Sequence, residues 1–571
     1  MLFCKLERAA INSALMNQSL HLYDYIVFLV YFVIVASYGY WVYQRKKSAQ
    51  ADSKDFFLAE GSLTWWAIGA SLIASNISAE QFIGMSGDGF MMGLAIASYE
   101  WMAAATLILV AVFFLPIYLK NKIYTMPQFL RQRYNGSVAM LMAIFWLSLY
   151  VVVNLTSILF LGALAVSTIS GFSFTFCMVF LAAFAIIITL GGMKVIGYTD
   201  VIQVFFLILG GLATTYLALD LVSTQFNTEG VLAGFQLVTT QASDHFDMVF
   251  QKDSPHFMSM PGISVLLGGM WIANLNYWGC NQYITQRALG ADLNTARSGL
   301  LFAAFLKLLM PVIVVLPGIA AYVLWKNGMF QTEMLKDGML AKDNAYPVLL
   351  NLLPIGFKGL SFAALTAAVV ASLAGKTNSI ATIFTLDIYK NTLNRSASEK
   401  QLVWVGRIAV VVAMLLALAI APFLGIDRKG GFEFIQEYTG FVSPGIFAMF
   451  IMGFFWKRTT ATAAMFAIVG GFALSVCFKF LPAYLDLPFL NGLGFAVLNP
   501  ASGRFEIPFL DRMAFVFILS ILGMVILSLS SKEPSKSTIE IDPTMFRTSG
   551  TFAFGAMVIL LVLAVLYGMY W

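Results

Sequence analysis

Stretches of roughly 20 apolar residues, the length that crosses a bilayer, recur along almost the whole of this 571-residue chain. They cover residues 24–44, 64–90, 96–118, 136–166, 173–191, 200–221, 262–284, 298–325, 357–385, 402–423, 433–456, 460–480, 510–530 and 551–570, which makes about 14 spans. Residues of the hydrophobic class make up 60% of the chain and charged ones 11%. A soluble domain carries about 25% charge, so a cytosolic enzyme and a nucleic-acid binder are both excluded. The expectation is an all-α polytopic membrane protein.

Charge placement orients it, because short cytoplasmic loops collect Lys and Arg. Arg45, Lys46, Lys47 and Lys54 follow the first span, and Lys120, Lys122, Arg131 and Arg133 follow the third. Arg287 with Arg297, then Lys390, Arg395 and Lys400, then Lys457 and Arg458 fall on the same side. The loop at 222–261 carries Glu229, Asp244, Asp247 and Asp253 against Lys252 and reads as extracellular. An even number of spans then puts both termini outside. Residues 1–23 hold Lys5 and Arg8 but no apolar core of signal-peptide length, and read as a short tail.

Two spans are not plain apolar helices. The second reads Ser75-Asn-Ile-Ser-Ala-Glu-Gln-Phe-Ile-Gly84 at its centre, and the seventh Ala273-Asn-Leu-Asn-Tyr-Trp-Gly-Cys-Asn-Gln282. Lipid satisfies no polar atom, so these stretches predict interrupted helices lining a cavity. From each of them five spans follow, to about 221 and to about 456. An odd number per unit requires the second unit to be inserted upside down. The layout is one extra helix at 24–44, a first repeat at 64–221, an inverted second repeat at 262–456, and C-terminal helices at 460–571.

Asn76, Ser78 and Gln81 on the second span, with Asn274, Asn276 and Tyr277 on the seventh, are candidate ligands for a hydroxyl-rich solute. Carbonyls at the helix breaks suit Na⁺. The alternative is interhelical glue. Glu100 lies near the start of the third span and Lys307 in the middle of an apolar one, where a charge costs roughly 2.5–3.5 kcal/mol. Their bland readings are an interfacial carboxylate and a snorkelling lysine. Asp200 reads as a helix-capping residue or a functional carboxylate. Ser372 is a candidate cation ligand or a back-bonded hydroxyl. Lys376, one turn further on, competes with a bound cation if it points the same way. The glycines from Gly84 to Gly93 follow no strand, which discards a phosphate loop. Four cysteines and three histidines, scattered outside any ligand spacing, give no disulfide framework and no metal centre. With no catalytic dyad in the spans an enzyme is not expected. A channel would show pore-lining rings rather than two broken helices.

Taken together, these stretches resemble the sodium/solute symporter family, most closely its sodium/sugar branch. The resemblance also rests on Tyr99-Glu-Trp-Met102, Met126-Pro-Gln-Phe-Leu-Arg-Gln-Arg-Tyr134, Thr199-Asp-Val-Ile-Gln203, Phe302-Ala-Ala-Phe-Leu-Lys307, Asp387-Ile-Tyr389 and Ile435-Gln-Glu-Tyr-Thr-Gly440. It implies a LeuT-like core of two inverted five-helix repeats in a cell membrane, the bacterial inner membrane for the branch it most resembles, with the monomer as functional unit. It implies Na⁺-coupled uptake of a neutral hexose, with myo-inositol, xylose, sialic acid or an organic acid as the alternative cargo. Sugar ligands would be Asn76, Gln81, Glu100, Asn274, Lys307 and Gln436. The gates would be Met85, Tyr99 and Phe432 on the outside and Tyr277 on the inside. Na⁺ would take carbonyls of Ala74, Ile77 and Ala368 plus the Ser372 hydroxyl, and Asp200 would lie on its exit route. The chain departs from the family pattern at Ala103, where the sugar site of that branch has a serine, and at Ala371, where the ion site pairs two adjacent hydroxyls.

Overall fold

The computed structural model describes all residues except 1–19, 46–55, 58–62, 337, 352, 424–430, 486, 500–501 and 532–538. Most of the tail read at 1–23, and the charges at Lys46, Lys47 and Lys54, lie outside the described residues.

Among the described residues, ten helices are long and apolar enough to cross a membrane, and Phe174–Leu190 and Ser443–Phe455 are shorter apolar helices. Neither polar stretch forms one continuous rod: the first is divided between a short helix and the start of the long run Glu80–Lys120, and the second between two short helices. The first opens as α1, Trp65–Asn76, and stops where Ile77 turns extended at φ −86° and ψ 117°. The chain resumes as a π-helical turn, Glu80–Met85, leading into α2, Ser86–Met92. Local chemistry explains the break. The Ser78 hydroxyl accepts from the Glu80 N–H at 3.2 Å, and the Gln81 carbonyl oxygen accepts from the Ser78 N–H at 2.9 Å. Ser-x-x-Gln is a reciprocal helix-start signature, here placed in mid-membrane.

Gly93, at φ +74°, ends α2. A side chain there would lie 2.1 Å from the His245 carbonyl, so only glycine fits. Then come α3, Ser98–Leu109, and α4, Met193–Gln225. The second polar stretch forms α5, Gly269–Cys280, and α6, Gln282–Leu289, on either side of an extended Asn281. Asn281 caps α6 through its side chain, which accepts from the Tyr283 N–H at 3.1 Å. The long α7, Leu293–Lys326, packs along α1, α2 and α3, and α8, Phe357–Thr382, packs against α4 and α1. Nearly all of α8 is buried, so it is a central rod. The short α9, Gly431–Gly440, reaches across to the π turn of the first polar stretch. Strands occur as two antiparallel ribbons in loops, Leu335–Lys336 with Met339–Leu340 and Val497–Asn499 with Arg504–Glu506.

Four charge readings change. Asp200 is no helix cap: α4 begins at Met193, and Asp200 is buried two turns inside it. Lys307 does not snorkel and Glu100 is not interfacial, for both are buried and paired with each other. Arg133, Arg287 and Arg297 are structural as well as topological. Arg133 donates to the Gly453 carbonyl at 2.6 Å, and Arg297 to that of Ala111 at 3.0 Å.

Candidate functional site

The two helix breaks face one cavity of about 1070 Å³, its mouth included. Asn76, Gln81, Glu100, Asn274, Lys307 and Gln436 all line it, as do Tyr99, Tyr277, Phe432 and Ala103. The whole candidate sugar set thus comes together from α1, the π turn, α3, α5, α7 and α9. Met85 is buried but does not line the cavity.

The polar groups are already bonded to one another. The Lys307 ammonium donates to Glu100 and to the side-chain Oδ1 of Asn76, and lies 5.2 Å from the Trp278 ring centroid. The Asn76 amide donates to the Tyr277 hydroxyl at 3.2 Å. Asn274 bonds back to the Met270 carbonyl at 3.2 Å, and Asn276 donates to Ser443 at 3.1 Å. Because the Gln81 oxygen serves the helix cap, its amide N–H₂ is the half left to meet a ligand.

Across the cavity Tyr99 meets Phe432 edge to face, with ring centroids 5.0 Å apart. A side chain at Gly84 would lie 2.7 Å from the Phe432 Cβ, so the first broken stretch and α9 approach backbone to side chain. Lys342, in a loop outside the spans, ties the same two elements through Asp88 at 2.6 Å and Glu433 at 3.4 Å. Burial works against its charge, but the two carboxylates outweigh burial and hold the ammonium pKa above its ordinary value.

Beside the first break the Ser372 hydroxyl lies 3.3 Å from the Ala74 carbonyl, 3.0 Å from that of Ser75 and 3.2 Å from that of Ile77. Ala368 is buried one turn earlier on the same helix. Hard carbonyl and hydroxyl oxygens are the donor type that Na⁺ takes. Three neutral donors converge on one hydroxyl, a set that fits a monovalent cation.

Asp200 accepts from the Ser71 hydroxyl at 2.5 Å and lies 3.9 Å from an Arg287 nitrogen. Arg287 also donates to Ser71 at 2.9 Å and to the Tyr283 carbonyl at 2.5 Å. The Tyr283 hydroxyl in turn donates to the Ser75 carbonyl. Asp200 is therefore wired to the carbonyl cage through Arg287 and Tyr283. Sequence reasoning missed both of these. In the sequence pattern Arg287 is one more loop charge, yet Tyr283 and Arg287 sit four apart on an amphipathic helix, a spacing that puts them on one face.

Residues 56–471 match the model of the sodium:solute symporter family. The chain belongs to the sodium:solute symporter family. A sodium/glucose cotransporter of Vibrio parahaemolyticus is 45% identical to this symporter over 559 residues, 96% of this chain and 98% of the relative. The sodium/myo-inositol cotransporter 2 of Oryctolagus cuniculus is 31% identical, covering 92% of this chain and 79% of its own. The substrate-bound, outward-open structure of a Na⁺-coupled sialic acid symporter superposes with a TM-score of 0.74 at 21% identity, covering 90% of this chain and 99% of its own. The symporter is thus a multi-pass, all-helical membrane protein with a LeuT-like fold, and its family is one of transporters, not enzymes.

Proposed function

We propose that this symporter couples inward movement of Na⁺ to uptake of a neutral sugar, a glucose- or galactose-like hexose, by alternating access. The observation that carries the reading is the convergence of Ser372 on the carbonyls of Ala74, Ser75 and Ile77. The next side chain along α1, Asn76, faces the cavity that holds Glu100, Lys307 and Gln436. An ion bound at the cage fixes the end of α1 and, with it, the position of Asn76. Coupling follows, because each ligand shifts the two-state equilibrium only by its differential affinity. The relative named a sodium/glucose cotransporter supports the cargo.

In this reading the run Glu80–Lys120 supplies the second half of the first broken crossing and the whole of the next, and with the second broken stretch, the nine other long helices and the two short apolar ones the crossings number 14. The repeats at 64–221 and 262–456 are inverted, both termini lie outside, and the protein resides in a cell membrane as a functional monomer. Tyr99 and Phe432 close the outer side with Met85 behind them, and Tyr277 closes the inner side by stacking on the sugar. The carbonyl of Ala368 completes the ion cage, and Asp200 receives the departing ion. Each charge carried inward gains about 2.3 kcal/mol per 100 mV.

Uptake into proteoliposomes tests this. An inward Na⁺ gradient is expected to drive accumulation of labelled glucose or galactose, whereas choline does not. Xylose, myo-inositol and sialic acid in the same panel identify any other cargo. Accumulation indifferent to Na⁺ would end the coupling claim.

A further inference from the structure

One buried charge in the cavity has no part in the sugar set or the ion cage. Lys376 is 5% exposed, lines the same cavity, and sits on α8 one helical turn beyond Ser372. Residues four apart share a helix face, about 6 Å of rise separating them. Its ammonium lies 4.8 Å from the ring centroid of Tyr283, whose hydroxyl bonds the Ser75 carbonyl of the cage. The ammonium therefore points toward the break and not away from it.

Glu80, on the π turn just past the break, lines the same cavity, and its charge acts on the ammonium. Glu80 is 8% exposed, and its Oε1 is buried without a hydrogen-bond partner. The position beside Ser372 is Ala371, which offers no second hydroxyl. The cage is thus poor in ligands and, besides the Arg287–Asp200 pair already wired to it, has a second fixed positive charge one turn away, with Glu80 to balance it.

We propose that Lys376 is a tethered cation that opposes Na⁺ at the Ser372 cage, with Glu80 as its counter-ion, so that this pair sets the Na⁺ concentration at which the symporter works. The proposal rests on the Na⁺ assignment above and goes beyond it by naming two further residues that tune ion specificity. Like charges about 6–7 Å apart in a protein interior alter binding by about tenfold or more. The effect must change sign with the charge removed: losing the lysine strengthens Na⁺ binding, and losing the carboxylate weakens it.

The test is the half-saturating Na⁺ concentration for sugar uptake by full-length protein in proteoliposomes. Lys376→Met is expected to lower it about tenfold, Glu80→Gln to raise it by a similar factor, and the double variant to return it to within about threefold of the parent. Thermal unfolding in detergent accompanies each variant, and Na⁺-induced quenching of tryptophan fluorescence reads ion binding without transport. Lys376→Met leaving the half-saturating concentration unchanged or raising it overturns the proposal, as do both single variants shifting it in the same direction. Ser372→Ala separates the two claims. If it abolishes Na⁺ dependence while Lys376→Met does nothing, the Na⁺ reading stands and this proposal falls. If neither the parent nor any variant responds to Na⁺, both fall.

Discussion

Glu100 and Lys307 show how a single buried pair links stability to recognition. Each is nearly excluded from solvent, and each satisfies the other. Removing one partner from such a pair leaves an uncompensated charge and costs about 3–5 kcal/mol. Lys307→Ala is therefore expected to lower the detergent melting temperature and to abolish sugar binding, both readable by thermal shift with and without hexose. A Glu100→Leu/Lys307→Met double variant is expected to recover most of the stability but none of the binding. At the ion cage, Ala371→Ser adds a hydroxyl beside Ser372 and is expected to lower half-saturating Na⁺ several-fold in uptake assays. These residues were legible in the sequence because charge and amide groups in apolar runs demand partners. Which partners they choose was not. The capping alternative for Asp200 arises because the apolar run begins near it, while the helix starts seven residues earlier, at Met193. Arg287 read as a loop charge because sequence position alone cannot show that α6 tucks its guanidinium under α1.

At the scale of elements, both helix breaks were visible as polar stretches, since no lipid-facing helix carries Ser, Asn and Gln at that density. What stayed hidden was the contact that α9 makes with the first of them. Its closeness depends on Gly84, and nothing in the local pattern says that Phe432, nearly 350 residues away, will fill the space. Gly84→Ala is expected to hold the two elements apart. Cysteine-accessibility labelling from the outside should then reach the cavity more readily, and transport should fall at least tenfold. Lys342 straps the same two elements through Asp88 and Glu433. Lys342→Ala is expected to increase outside accessibility more modestly, leaving the fold intact. The strap itself was unreadable, because a loop lysine gives no sign of the carboxylates it will meet.

For the whole molecule, the membrane class was legible in the sequence, because span length and apolar content are set by the bilayer and not by packing detail. The lipid-facing belt follows from the same physics: Leu29, Ile187, Phe205 and Leu561 are each more than half exposed. The proposed topology places the end of the last helix outside. An alkaline phosphatase fused after Trp571 is expected to be active and a green fluorescent protein at the same point dark. The reverse pattern would invert the orientation. The sealed position of the Asp200–Arg287 pair has a further consequence. Bath ions screen charges across a Debye length of about 8 Å of electrolyte at physiological ionic strength, but this pair is buried off the cavity, behind protein. Ionic strength as such leaves the interior field untouched. A sodium-for-choline exchange at constant osmolarity therefore reports occupancy of one specific cage, free of the generic salt effects that blur the same experiment in a water-soluble protein.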